Sequence, residues 1–166
     1  MFISLLFSTF PYLKLDLHYK PNQQNALMLK LREKHADALN LHEIEIFTQK
    51  LAIKLPNNYS KFLQHTSTGL VAFNSTEIII ESNTETVGID SIDSPENVIS
   101  YWNNLQEYKE FRAHHILPIG SLISSRTLCI GYGNDNQNQM FVLDTNLEAE
   151  SIQESLEELI CKIQYL

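Results

Sequence analysis

The segment Leu55-Pro56-Asn57-Asn58-Tyr59-Ser60-Lys61-Phe62-Leu63 forces a corner between two helices. Upstream of it, Leu41, Ile44, Phe47, Thr48 and Leu51 recur at helical spacing and make one stripe. Pro56 ends that run, because proline has no N–H to donate and its ring strikes the preceding turn. Beyond it, Tyr59, Phe62 and Leu63 fall on one helical face. Asn57 or Asn58 can accept a bond from the free N–H groups of the new first turn. The spacing therefore predicts a helix over 41–51, a corner at Pro56 and a short helix ending near His65. Such a joint builds a scaffold and carries no chemistry of its own.

At 166 residues the chain suits one domain that buries roughly two-thirds of its unfolded surface. Residues 1–20 read as extended, with Leu13, Leu15 and Leu17 alternating with Lys14, Asp16 and His18, and residues 25–39 read as helical. Thr66-Ser67-Thr68-Gly69 reads as a turn, Ile78-Ile79-Ile80 as a buried strand and Val87-Gly88-Ile89 as a second short strand. Ser94 and Pro95 are a cap and a first helical residue, opening a helix with Val98, Tyr101, Trp102 and Leu105 on its stripe. The Ile116–Gly120 block leads to a hairpin in which the run 134–139 turns the chain between Leu128–Gly131 and Met140–Leu143. Gly131 and Gly133 on one strand predict a neighbour pressed against the backbone. Ile152, Leu156, Leu159, Ile160 and Ile163 predict a closing helix. The expected fold is α+β: a single domain with a largely antiparallel twisted sheet, flanked by N-terminal helices and a C-terminal helix.

The charge is lopsided. Residues 1–83 balance at +1 and residues 84–166 at −9, giving the net −8. An acidic half excludes phosphate-backbone binding, which needs clustered Lys and Arg, so nucleic acid is not an expected partner. The same charge suits a basic protein partner, or serves solubility. Cys129 and Cys161 sit in apolar settings without a Cys-x-x-Cys companion, as packed free thiols do in a reducing compartment. The apolar-leaning residues 1–10 lack a positive leader region and are too short to span a bilayer. No membrane partner and a cytoplasmic location are expected.

Catalytic signatures are missing. His114-His115 are adjacent, so their side chains diverge, and no Cys or His stands nearby to complete a metal site. Asp135–Gln139 lacks the central glycine and the terminal glutamate of a calcium loop and reads as a solvated hairpin turn. Gly131-Tyr132-Gly133 has no Gly-Lys-Ser/Thr and runs from strand into turn, so it is no phosphate cradle. No nucleophile elbow is present, and the acids from Glu148 to Glu158 read as the outer face of the last helix. The expectation is a non-enzyme with no catalytic residues, no cofactor and no metal.

Four ordered blocks resemble the SUKH superfamily in its Smi/Knr-type branch. They are Leu55, Pro56, Tyr59, Phe62 and Leu63; Pro118-Ile119-Gly120; the hairpin Leu128–Gly131 with Met140–Val142 and Asp144; and Ser155, Glu157, Glu158, Leu159 and Ile160. Asn58 stands where the family usually has an acid, and Thr68-Gly69 where it often has Asn-Gly-Gly. The resemblance covers residues 40–166 and leaves 1–39 as an N-terminal extension, a strand plus a helix packing on the domain. It implies a non-catalytic binding module of the bacterial immunity type, whose partner is a cognate protein toxin. A basic nuclease toxin would match the acidic half. The candidate contacts are Glu77, Glu81, Glu85, Asp90, Asp93 and Glu96, with Tyr101 or Trp102 as an aromatic anchor. The competing expectations are a regulatory or scaffold module with a host-protein partner, and a small hydrolase without a local signature.

Overall fold

The computed structural model describes residues 38–65, 70–80 and 85–164. Helix α1 (Leu41–Leu51) opens on a reciprocal cap, Asn40 accepting from the Glu43 N–H while the Glu43 side chain accepts from the Asn40 N–H. It buries Ile44, Phe47 and Leu51 but leaves Leu41 exposed at its first turn. After the corner, α2 (Asn57–His65) buries Tyr59, Phe62 and Leu63. The cap expected from Asn57 or Asn58 comes instead from far along the chain: the Asn58 N–H donates to Asn138 Oδ1 at 3.0 Å. The Asn58 side chain is thereby free to donate to Glu157 Oε2.

The strands are β1 (Leu70–Ile79), β2 (Thr86–Ile92), β3 (Ile116–Leu122), β4 (Thr127–Gly131), β5 (Met140–Leu143) and β6 (Ala149–Ile152). They form one antiparallel sheet in sequence order. Between β2 and β3 the chain makes α3 (Pro95–Leu105) and α4 (Lys109–His114), and after β6 it ends in α5 (Leu156–Gln164). Helix α1 touches α2 and α3, α2 touches α5, α3 lies on β3 and α5 on β1. The α+β fold read from the sequence is the observed one.

The register sorts the sheet into two faces. Ile78, Val87, Ile89, Ile92, Leu117, Leu128, Ile130, Met140, Val142 and Ile152 alternate onto one side and are buried, sharing a core with the helical stripes. On the other side Thr86, Ser91, Ser121, Thr127, Phe141 and Ser151 are exposed or half-buried, while Cys129 and Leu143 of β4 and β5 are buried there, so this face is open chiefly at β2 and β3. The Ile78–Ile80 run obeys this alternation: Ile78 and Ile80 are fully buried and Ile79 is 52% exposed. Reading it as uniformly buried was wrong, because three isoleucines conceal a period of two. Ile80 also forms an antiparallel bridge with Ile152, so the ends of the first and last strands meet.

Two elements were not legible. Helix α4 buries only Phe111 and has no stripe to reveal it. Ile152 is not part of the closing helix but ends β6, opposite Met140. Glu148 and Glu150 therefore precede or occupy a strand rather than a helix face. The extended segment 1–20, the helix read at 25–39 up to residue 37, the turn 66–69 and Glu81 lie outside the described residues. Leu39 is not helical; its N–H bonds the Leu63 carbonyl.

Candidate partner-binding surface

The Pro118-Ile119-Gly120 block sets the geometry of the open face. Pro118 cannot donate to a ladder, and the β3–β4 register shifts between Pro118 and Gly120, where a bulge accommodates it. Gly120 is required at that point: a Cβ there would collide with the Ser91 carbonyl of β2. The Ile119 carbonyl accepts from the Asp93 N–H at 2.8 Å, holding the start of α3 against β3. A second bulge between Ile89 and Ser91 re-aims β2 beside it.

These two irregularities bring Ser91 opposite Ser121, with hydroxyl oxygens 2.7 Å apart. Ser91 Oγ lies 3.2 Å from Asp93 Oδ1, and Ser121 Oγ lies 3.4 Å from Asp90 Oδ2. The result is a chain of side chains, Asp90–Ser121–Ser91–Asp93, across two strands. Burial raises the Asp93 carboxyl above its ordinary range; the Ser91 hydroxyl opposes that and the Asp90 charge reinforces it. The Tyr59 hydroxyl is fully buried with no hydrogen-bond partner, and its pKa is raised by burial and by the Asp93 charge.

The other candidates are scattered. Glu85, just before β2, pairs with Arg126 at 3.0 Å. Glu77 stands opposite Gly88 in the register. Glu96 is exposed in the first turn of α3, and Tyr101 on the same helix is 49% exposed. Trp102 is a core residue at 5% exposure, edge-on to Phe111 and Tyr132 at 5.9 and 5.6 Å. Its side chain offers no surface, which leaves Tyr101 as the aromatic available on α3. Ser91 and Ser121 were missed, although Ser121 is a polar interruption in the apolar strand Ile116–Leu122 and Ser91 stands beside Asp90 between Ile89 and Ile92.

Among the described residues, both thiols are raised in pKa and the Asp144 carboxylate is engaged in a turn. Burial pushes the Cys129 thiol far up, and the Cys161 thiol is raised by burial and by Glu157 and Glu158. The Asp144 carboxylate accepts from the Asn146 and Glu148 N–H groups, each at 2.8 Å, and so closes the β5–β6 turn. Among the described residues no cluster of His, Cys, Asp and Glu could hold a metal ion, and no helix is long and apolar enough to cross a membrane. Surface depressions between α2 and α5 and beside Arg126 each hold about 40 Å³, room for a few waters.

Residues 38–162 match the model of the SMI1 / KNR4 family (SUKH-1). The chain belongs to this family. No curated protein matches it. The match spans every described element except the last residues of α5, so the Pro56 corner, the Pro118–Gly120 bulge and the β4–β5 hairpin all fall within the SUKH-1 domain.

Proposed function

We propose that this SMI1/KNR4-family chain is a non-catalytic protein-binding module, an immunity protein that binds and neutralises a cognate bacterial toxin with a basic surface. Family membership supports a binding role. The observation that carries the charge of the partner is the open sheet face: Asp90 and Asp93 meet there without an ion-pair partner among the described residues. Like charges gathered on one face favour and steer an oppositely charged partner. Shallow depressions of about 40 Å³ also suit recognition of a surface better than enclosure of a substrate. Residues 1–39 would form an extension packed on the domain, and the protein would act in the cytoplasm beside the toxin it restrains.

The test is co-expression with the toxin domain encoded next to its gene. The expected result is restored growth and a complex that survives purification. If the protein neither rescues growth nor co-purifies, the immunity reading is lost.

A further inference from the structure

The two ends of the sheet are protected unequally. Strand β6 is a four-residue edge carrying Glu150, short and charged as protected edges are. At the other end β1 runs ten residues, Leu70–Ile79, with no proline, no lysine and Glu77 as its one charge. Strand β2 pairs with one side of it. On the other side the one pairing among the described residues is the Ile80–Ile152 bridge, just past its end. The register shift between Val71 and Thr76 bends β1, yet that outer row of N–H and C=O groups has no neighbouring strand among the described residues. A long edge of this kind takes up another strand.

The sequence holds a strand pattern to match. Leu13, Leu15 and Leu17 alternate with Lys14, Asp16 and His18, an apolar face backed by a polar one. The point where the chain enters the domain brings this segment near β1. The Leu39 N–H bonds the Leu63 carbonyl at 2.8 Å in the last turn of α2, and α2 ends at His65, five positions before Leu70. Twenty residues separate His18 from Leu39. With residues 25–37 helical and the rest extended they reach about 40 Å, against about 33 Å for the length of β1. We propose that Leu13–His18 add to the outer edge of β1 as a further strand, with Leu13, Leu15 and Leu17 turned toward α5, which packs on β1. The same pairing denies that edge to a second copy of the chain.

The pairing rests on the reading that residues 1–39 pack on the domain and is independent of the toxin. The test is NMR on the full chain, measuring backbone NOEs between residues 13–18 and 70–79 and amide exchange along β1. Cross-strand NOEs are expected, with slow exchange at every second amide of β1, those that point away from β2. Leu15→Pro removes one N–H from the new ladder and should quicken that exchange about tenfold, whereas Ser4→Pro, outside the paired segment, should not. Exchange in β3 and β4 should stay the same in both variants, which separates loss of the strand from unfolding. Exchange in β1 unaltered by Leu15→Pro overturns the pairing. NOEs from residues 13–18 to the helices instead also overturn it and leave the extension packed; random-coil shifts throughout residues 1–37 overturn both. Protection of β1 that varies with protein concentration, without NOEs from residues 13–18, gives the edge to a second copy and overturns the pairing. Toxin neutralised by a chain whose β1 edge stays bare leaves the immunity reading standing, and a paired edge without neutralisation does the reverse.

Discussion

Tyr59 holds its ring between Phe47 and Phe62, with centroids 6.4 and 6.0 Å away, and keeps a hydroxyl in the core that bonds nothing. A buried hydroxyl without a partner costs stability, whereas the ring contributes packing. Tyr59→Phe is therefore expected to leave stability unchanged or to raise it by about 1 kcal/mol, read from the urea midpoint. A loss of similar size would mean that the hydroxyl finds a partner in solution. Asp93 makes a second prediction at this scale. Its folded pKa lies above the ordinary value, so between the two the native state holds a proton that the unfolded chain has released. Its contribution to stability is thus greatest at acid pH, falls as pH rises through the raised pKa, and is flat above it. Asp93→Asn should remove that component from denaturation midpoints measured across the acid range; an unaltered pH profile would contradict it.

Among the elements, the β4–β5 hairpin loop does more than turn the chain. Asn136 accepts from the Gly133 N–H at 2.9 Å and donates to the His114 carbonyl at 2.9 Å, and Asn138 caps α2. The neighbour that Gly131 accommodates is Asn136 of this loop, which a Cβ would strike. The run is solvated at Asn134, Asp135, Gln137 and Gln139, while Asn136 and Asn138 make it also a clasp between the sheet and the helical layer. Asn138→Ala should cost about 1 kcal/mol, the usual worth of a helix cap, measured by thermal unfolding. The mechanism is local to α2, so hydrogen exchange should quicken first in Ser60 and its neighbours. Gly120→Ala should be worse, about 1–3 kcal/mol by overpacking against β2, and should disturb the Ser91–Ser121 contact above it.

For the whole molecule, the Ile80–Ile152 bridge joins the first strand to the last, so the sheet and α5 stand or fall together. Ile152 is buried at 4% beside Met140, and Ile152→Ala should cost about 2–5 kcal/mol while keeping a single cooperative transition. Separate unfolding of α5 and the sheet would show that the closure is weaker than its packing implies. The lopsided charge also acquires a shape at this scale. The −9 of residues 84–166 gathers in patches, with Asp90 and Asp93 on the β2–β3 serine pair and Asp144, Glu148 and Glu150 around the depression beside Arg126.

The local pattern determined what depends on near neighbours. Helices α1, α2 and α3, the Ser94–Pro95 start and the β4–β5 hairpin were all readable, because a proline, a cap or an apolar period acts within a few residues. The ordered blocks also carried the SUKH family. Tertiary structure alone decided the rest. β6 is too short and polar to announce itself and exists because β5 offers it a ladder. The cap of α2 lies 80 residues along the chain. Ser91 and Ser121 meet only because two bulges and a glycine bring β2 against β3. Sequence spacing records what one backbone does to itself; which carboxylates and hydroxyls come together is fixed by where two distant strands touch.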